Sequence, residues 1–375
     1  MSSDPAARAG AILEIDLGAI VANWRSLAAK AAPARCAAVV KANGYGLGAA
    51  SVAMALARVG CRLFFVATLD EGIALRRALG QKTEIAILNG PLPGTAAEFA
   101  AENLVPVLNE PGQIEEWRRV AETHGGVPAI LHVDTGMSRL GLTAREFAVF
   151  ADDLARWKAI RWRALMSHLA CADEPDHPLN RIQLQRFASA RGRLPGIPAS
   201  LAASSGIFLG PDYHADVVRP GAALYGVNPQ LGSSNPLRPV VRLSGKILQI
   251  REIDRGESVG YGAAHIMEAP GRVATVAVGY ADGWLRSLSH RGCGHIAGRR
   301  VPLLGRVSMD LLAFDVSAVD PAHANPGATI ELLGDLYGVD DAAADAGTIG
   351  YEILTSLGSR YHRIYRDPAG INPPE

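Results

Sequence analysis

The residue with the plainest chemistry is a lysine that ends an apolar run and opens a glycine-rich turn. Lys41 stands in VVKANGYGLG, residues Val39–Gly48. At the C-terminal end of a buried strand its amine would be partly desolvated. Desolvation disfavours the ammonium form, and a neutral amine can attack a carbonyl or accept a proton. A lone lysine at such a rim more often snorkels to water, but the turn beyond it also carries an aromatic, Tyr45. The same turn supports a second chemistry. Gly44, Gly46 and Ala49 spell G-x-G-x-x-A, and Asp70 follows at about the spacing of a dinucleotide fingerprint. Lys41, Ala42 and Asn43 separate the first of these glycines from the strand, where that fingerprint requires a tight turn. A nicotinamide-dependent dehydrogenase therefore stands as the alternative.

Other polar residues sit at comparable places. Arg139 follows a strand in HVDTGMSRLG, His168 closes one in ALMSHLACAD, and Ser205 follows one in LAASSG. Arg219 and Gly221 end another in VVRPGAALYG. Singly, these read as a surface ion-pair partner, a core histidine and a helix cap. Together they gather cations, a hydroxyl and exposed backbone N–H groups at strand ends. A phosphorylated aromatic cofactor suits such a set, its phosphate at a helix start and its polar substituents near arginines.

The elements that must position them follow from the hydrophobic pattern. Strands are expected over residues 36–40, 63–67, 84–88, 105–108, 129–133, 162–167, 200–203 and 215–219. Helical spacing lies between them at 51–59, 71–79, 110–122, 145–157 and 179–191. Near-continuous apolar strands alternating with helices predict a parallel sheet covered on both faces, and eight of them predict a (β/α)₈ TIM-type barrel over 12–235. An open doubly wound sheet follows if one weak strand is miscounted. GSSNPLRP, Gly232–Pro239, reads as a connector. Beyond it, alternating runs at 240–253, 272–280, 300–304, 311–316 and 329–333 predict a mainly antiparallel β domain over 236–375.

Composition narrows the classes. Of 375 residues, 49% are hydrophobic, so a large core is available. Thirty-seven Lys and Arg balance 37 Asp and Glu, which gives no footprint for nucleic acid or an anionic membrane. No signal-peptide pattern and no bilayer-length apolar run is apparent. The four scattered cysteines, Cys36, Cys61, Cys171 and Cys293, read as reduced packing residues of a cytoplasmic protein. His290, Cys293 and His295 in HRGCGH form the one metal-like group, read as a plain glycine-containing loop with no metal.

VVKANGYGLG, VDTGMSRLG, SHLACAD, RPGAALYG, VGYG, VGYADGWLR, GRVSMD and GYEILTSLGSR occur in this order along nearly the whole chain. The set resembles that of bacterial alanine racemases, fold-type III pyridoxal-phosphate enzymes. The resemblance implies that Lys41 holds pyridoxal 5'-phosphate and acts on the D-enantiomer, with Tyr261 as the opposing base for the L-enantiomer. A tyrosine ionises near pH 10 when free, at about that value in peptides, so Tyr261 needs help. The family supplies it through a histidine matching His168 and an arginine matching Arg219, the latter on the pyridine nitrogen. Tyr45, Ser205, Tyr351 and the N–H groups of Gly221 and Ala222 are implied phosphate ligands. Arg139 and the backbone of Met309 would meet the substrate carboxylate, and Asp173, Tyr280, Arg286, Arg306 and Asp310 would line its entrance. The family is dimeric, with Tyr261 and Met309 reaching the partner's barrel. Two departures stand out. His132 replaces a lysine that is often carbamylated, and Ser204 replaces an asparagine. Serine or another small amino acid as substrate, and a non-catalytic cofactor carrier, are the other readings.

Overall fold

A computed structural model describes residues 4–367. The chain divides into two compact units, Ile20–Leu237 and the chain through Ala19 together with the chain from Arg238 onward.

The first unit is a ring of parallel strands. Its first strand is interrupted, as Arg35–Cys36 and Ala38–Val39. Then come Leu63–Val66, Glu84–Ile87, Val105–Leu108, Val127–His132, Ile160–Met166, Ala199–Ser200 and Val217–Val218. Neighbours pair in sequence order from Ala38–Val39 round to Ala199–Ser200. The ring then closes. A parallel bridge joins Ala203 to Arg219, and Val217–Val218 pairs parallel with Arg35–Cys36. Across the seam Arg219 N donates to Ala202 O, and Ala37 N to Val218 O, each at 2.9 Å. Every residue of Val105–Leu108 is buried, as a strand packed on both faces must be.

Helices cover the ring. Pro111–Thr123 buries Ile114, Trp117 and Ala121 along one stripe, and Trp117 meets Phe99 edge-on at 6.2 Å. Leu69–Leu79 and Ala144–Asp152 each begin with a capping box, Thr68 with Glu71 and Thr143 with Glu146. After the seventh and eighth strands only short 3₁₀ turns follow, Ser205–Phe208, Pro211–Tyr213 and Ala222–Tyr225. Those strand ends thus pass directly into tight backbone suited to close approach.

The second unit is an eight-stranded sheet. Its order is Gly271–Val276, Leu312–Asp315, Arg299–Leu304, Cys293–Ile296, Thr329–Leu333, Val241–Ile253, Ala11–Asp16 and His362–Arg366. All pairs are antiparallel except the last, and the long Val241–Ile253 also pairs with Gly271–Val276, which curls the sheet on itself. Val259, Met267, Val273 and Leu304 form part of its core.

Two sequence expectations are corrected. The barrel does not begin at residue 12, because Ala11–Asp16 alternates buried and less buried residues and pairs with Val241–Ile253 and His362–Arg366. HRGCGH is not one plain loop: Cys293–Ile296 is a fully buried strand paired with Arg299–Leu304, and His290 precedes it at φ 62°.

Candidate active site

Lys41 leaves the first barrel strand into backbone of unusual handedness. Ala42, Asn43, Gly44 and Tyr45 have φ of 53°, 52°, 64° and 53°, followed by Gly46 at 82°. Left-handed backbone costs roughly 1–2 kcal/mol at each non-glycine residue, so the surroundings must hold it. Glu71 does so from the start of the helix Leu69–Leu79, which follows the second barrel strand. One carboxylate oxygen accepts from Ala42 N at 2.6 Å, and the other from Ala67 N at 2.8 Å and Thr68 N at 3.3 Å. Asn43 Oδ1 accepts from Ala49 N at 3.0 Å. Burial and the nearby Arg139 push the Lys41 amine below its usual pKa, while Glu71 opposes them.

Arg219 lies buried inside the ring at 3% exposure. It donates to Ser200 Oγ, to Ser167 O at 2.7 Å and to Leu201 O at 3.4 Å, and its guanidinium stands 6.0 Å over the Phe65 ring. All these acceptors are neutral, and no carboxylate among the described residues pairs with it. Burial lowers its pKa to about 9, so it stays cationic at neutral pH. His168 feels burial first and then Arg219, Arg139, His132 and Lys41, which hold it neutral with a pKa of about 3. The structure thereby brings Lys41, Arg139, His168 and Arg219 into one electrostatic neighbourhood.

His132 belongs to it as well. Its ring is buried, and burial with Arg219 lowers its pKa to about 4. Asn109 donates its amide N–H groups to Leu88 O at 3.0 Å and Val107 O at 3.1 Å, so its oxygen faces His132 Nδ1 at 2.7 Å. The neutral ring must then carry its proton on Nδ1 and leave Nε2 as an acceptor.

Asp134 builds the turn that presents the exposed Arg139. Burial would raise its pKa, but N–H bonds from Gly136, Met137 and Ser138 prevail and hold it low. Asp173 lies in the loop after the sixth strand, exposed, its carbonyl accepting from Leu231 N at 3.0 Å.

At the eighth strand's end, glycine is required for space. A Cβ on Gly221 would stand 2.2 Å from the Tyr45 hydroxyl, and Tyr45 packs on Tyr225 with ring centroids 4.7 Å apart. Ser204, buried, accepts from Gly221 N at 2.9 Å and Ala223 N at 3.1 Å. The Gly221 N–H, expected at a phosphate, is therefore bonded to Ser204 in this structure. The Ser205 hydroxyl and the Ala222 N–H carry no bond to the described residues.

The remaining candidates lie in the β unit. Tyr261 opens a 3₁₀ turn, Tyr261–Ala263, and its side chain is 72% exposed. A Cβ on the adjacent Gly262 would meet Arg306 Nη1 at 3.1 Å, so Arg306 lies against the same turn. Tyr280 N donates to Ser308 O and Ala281 N to Met309 O, each at 3.0 Å, joining two candidates on neighbouring segments. Asp310 pairs with Arg360 at 2.7 Å. Arg286 begins the turn Arg286–Leu288, and Tyr351 lies in the helix Gly350–Ser356.

Two family descriptions match in tandem, "Alanine racemase, N-terminal domain" over residues 15–229 and "Alanine racemase, C-terminal domain" over 240–365. The chain belongs to the alanine racemase family. It is 52% identical over 360 residues to the catabolic alanine racemase of Mesorhizobium japonicum, covering 96% of this chain and 94% of that one. Identity to the alanine racemase of Rhodospirillum rubrum is 53% over 360 residues, with 96% of each covered. The crystal structure of alanine racemase from Bartonella henselae with covalently bound pyridoxal phosphate matches with a TM-score of 0.92 and 42% identity, covering 96% of this chain and all of that one.

Membership in the alanine racemase family and the closed ring together remove the dehydrogenase alternative. A dinucleotide fold needs an open sheet whose strand order reverses, and here the strands run in sequence around a circle. Sequence reasoning missed Glu71, Asn109 and the bonding of Ser204. Only Glu71 left a local signal, the capping box T-x-x-E at Thr68.

Proposed function

We propose that this protein interconverts L- and D-alanine with pyridoxal 5'-phosphate, carried on Lys41, and with Lys41 and Tyr261 as opposed proton carriers. One observation carries the reading: a desolvated amine shares the barrel's C-terminal end with Arg139 and a buried Arg219 that has no carboxylate partner. The site fits the cofactor. Arg219 offers a cation to a ring nitrogen, Ser205 and Ala222 N–H are open to a phosphate, and Gly221 leaves room for the Tyr45 hydroxyl beside them. The cofactor, when bound, supplies an electron-withdrawing ring that acidifies the substrate's α-carbon.

The protein's own groups do the rest. Lys41, as a neutral amine, takes or returns the proton on one face of the α-carbon, and Tyr261 serves the other. Arg139 meets the substrate carboxylate in a fork of N–H donors. Arg219 does not surrender its proton, so it donates a hydrogen bond and leaves the ring nitrogen unprotonated. That moderates electron withdrawal and favours return of the proton to carbon over transamination.

Tyr261, Tyr280, Met309 and Leu311 are exposed to 72%, 42%, 53% and 39%. Such a surface supports a homodimer in which Tyr261 serves the partner's barrel. No helix among the described residues is long and apolar enough to cross a membrane. The four cysteines are free, and burial raises the thiol pKa of Cys36 and Cys61, which suits a reducing cytoplasm.

Borohydride reduction followed by peptide mapping tests the cofactor assignment. A pyridoxyl label on Lys41 is expected, and a label elsewhere or none rejects it. Chiral analysis of products from L-alanine, L-serine and 2-aminobutyrate tests the substrate. Alanine should turn over fastest, and serine ahead of alanine would reassign it.

A further inference from the structure

The end of the barrel opposite Lys41 is not filled. A cavity of about 580 Å³ opens among the first residues of the strands, including Leu63, Glu84 and Val105. Barrel interiors are ordinarily closed by layers of branched side chains. Here Ala164 and Ser200 line the space with small groups, beside the apolar Phe65, Ile130 and Met166. The volume falls within the roughly 300–1,000 Å³ of small-molecule sites.

The rim is charged and unevenly paired. Glu84 forms an ion pair with Arg163 at 2.7 Å, and Asp216 bonds Arg191 at 2.8 Å. Arg35 reaches Glu84 only at 3.9 Å, and its side chain is 62% exposed. Three cations therefore face two anions, and Arg35 holds the excess. Apolar depth below a spare guanidinium matches one ligand chemistry. We infer that this cavity is a second binding site, for a small monocarboxylate with an apolar tail, its carboxylate on Arg35 and its tail against Phe65 and Ala164.

The floor of the cavity touches the machinery above it. Ser200 Oγ accepts from Arg219 and donates to Val217 O at 2.6 Å, and Phe65 lies under the same guanidinium. An occupant resting on Ser200 and Phe65 is thus one contact from Arg219. Occupancy should change kcat while leaving the KM for alanine unchanged, because the alanine end of the barrel is untouched. This kinetic arm rests on the role proposed for Arg219, whereas the binding arm does not.

The test is calorimetric titration of the holoenzyme with sodium octanoate, with sodium acetate as a control for the head group alone. Octanoate should saturate one site per chain, and acetate should not. Arg35→Gln, a rim change outside the core, should weaken octanoate about tenfold, the loss of one charge-assisted contact. Ala164→Phe should fill the cavity and abolish binding. Should Ala164→Phe fail to fold, Arg35→Gln decides alone. Octanoate heats indifferent to Arg35→Gln, or inhibition competitive with alanine, overturn the site. Binding that responds to the variants with kcat unchanged upholds the site and refutes its link to Arg219.

Discussion

Glu71 acts on Lys41 twice, through the backbone and through charge. Its carboxylate pins Ala42 N to the helix Leu69–Leu79 and holds the Lys41 pKa up against burial and Arg139. Glu71→Gln keeps the size and removes the charge. The pH midpoint for labelling Lys41 by an amine reagent in cofactor-free protein should move down, and kcat should fall roughly ten- to hundredfold, the worth of one hydrogen bond to a charged group. An unmoved midpoint would reduce Glu71 to a helix cap. Tyr261→Phe tests the proposed division of labour between two bases. Solvent deuterium should still enter D-alanine at its α-carbon while racemisation falls on the order of a hundredfold or more, the range of one general base. Equal loss of exchange from both enantiomers would contradict the division of labour. Tyr261 and Met309 came only from the resemblance of the motifs, whereas Lys41, His168 and Arg219 were legible because each ends an apolar strand. Their supports were not: Glu71 and Asn109 work through contacts to neighbouring loops, which no local pattern encodes.

The elements were legible where burial made them uniform. Val105–Leu108 is apolar throughout and was readable as a strand, whereas Cys293–Ile296 interleaves glycine and histidine and looks like a loop despite being buried. Ala11–Asp16 shows a strand's alternation, but its partners lie more than two hundred residues on, so periodicity alone could not assign it to a sheet. The turn after the eighth strand shows how an element constrains the site. Gly221→Ala would drive a Cβ against the Tyr45 hydroxyl and ring. Tyr45 must then shift, and pyridoxal phosphate affinity, measured by fluorescence titration, should fall about tenfold, as expected for one phosphate contact. Unchanged affinity would remove Tyr45 from the phosphate site.

For the whole molecule, two neutral histidines beside buried Arg219 set an acid limit. Unfolded histidine titrates near pH 6.5, at about that value in peptides, while His132 and His168 in the fold resist protonation to about 4 and 3. Below about pH 6.5 the unfolded chain binds protons that the native chain refuses, so stability falls as pH drops toward 4. His132→Asn should flatten that fall by roughly 2 kcal/mol, read from unfolding midpoints between pH 7 and 4.5. A parallel curve would show that His132 is not the group responsible. Assembly has its own test. Lys41→Ala and Tyr261→Phe chains, each inactive, should recover roughly a quarter of wild-type activity after mixing and exchange, since half the dimers would hold one intact site. No recovery would place both bases on one chain. The pairing of Ala11–Asp16 with Gly245 and its neighbours also bears on biosynthesis. This segment is made well before its partners, so its place in the sheet exists only after roughly 230 further residues are made, at the measured pace of translation many seconds later. Until then a half-apolar ribbon waits without a neighbour, and nascent-chain chaperones or an amino-terminal fusion would compete for it there.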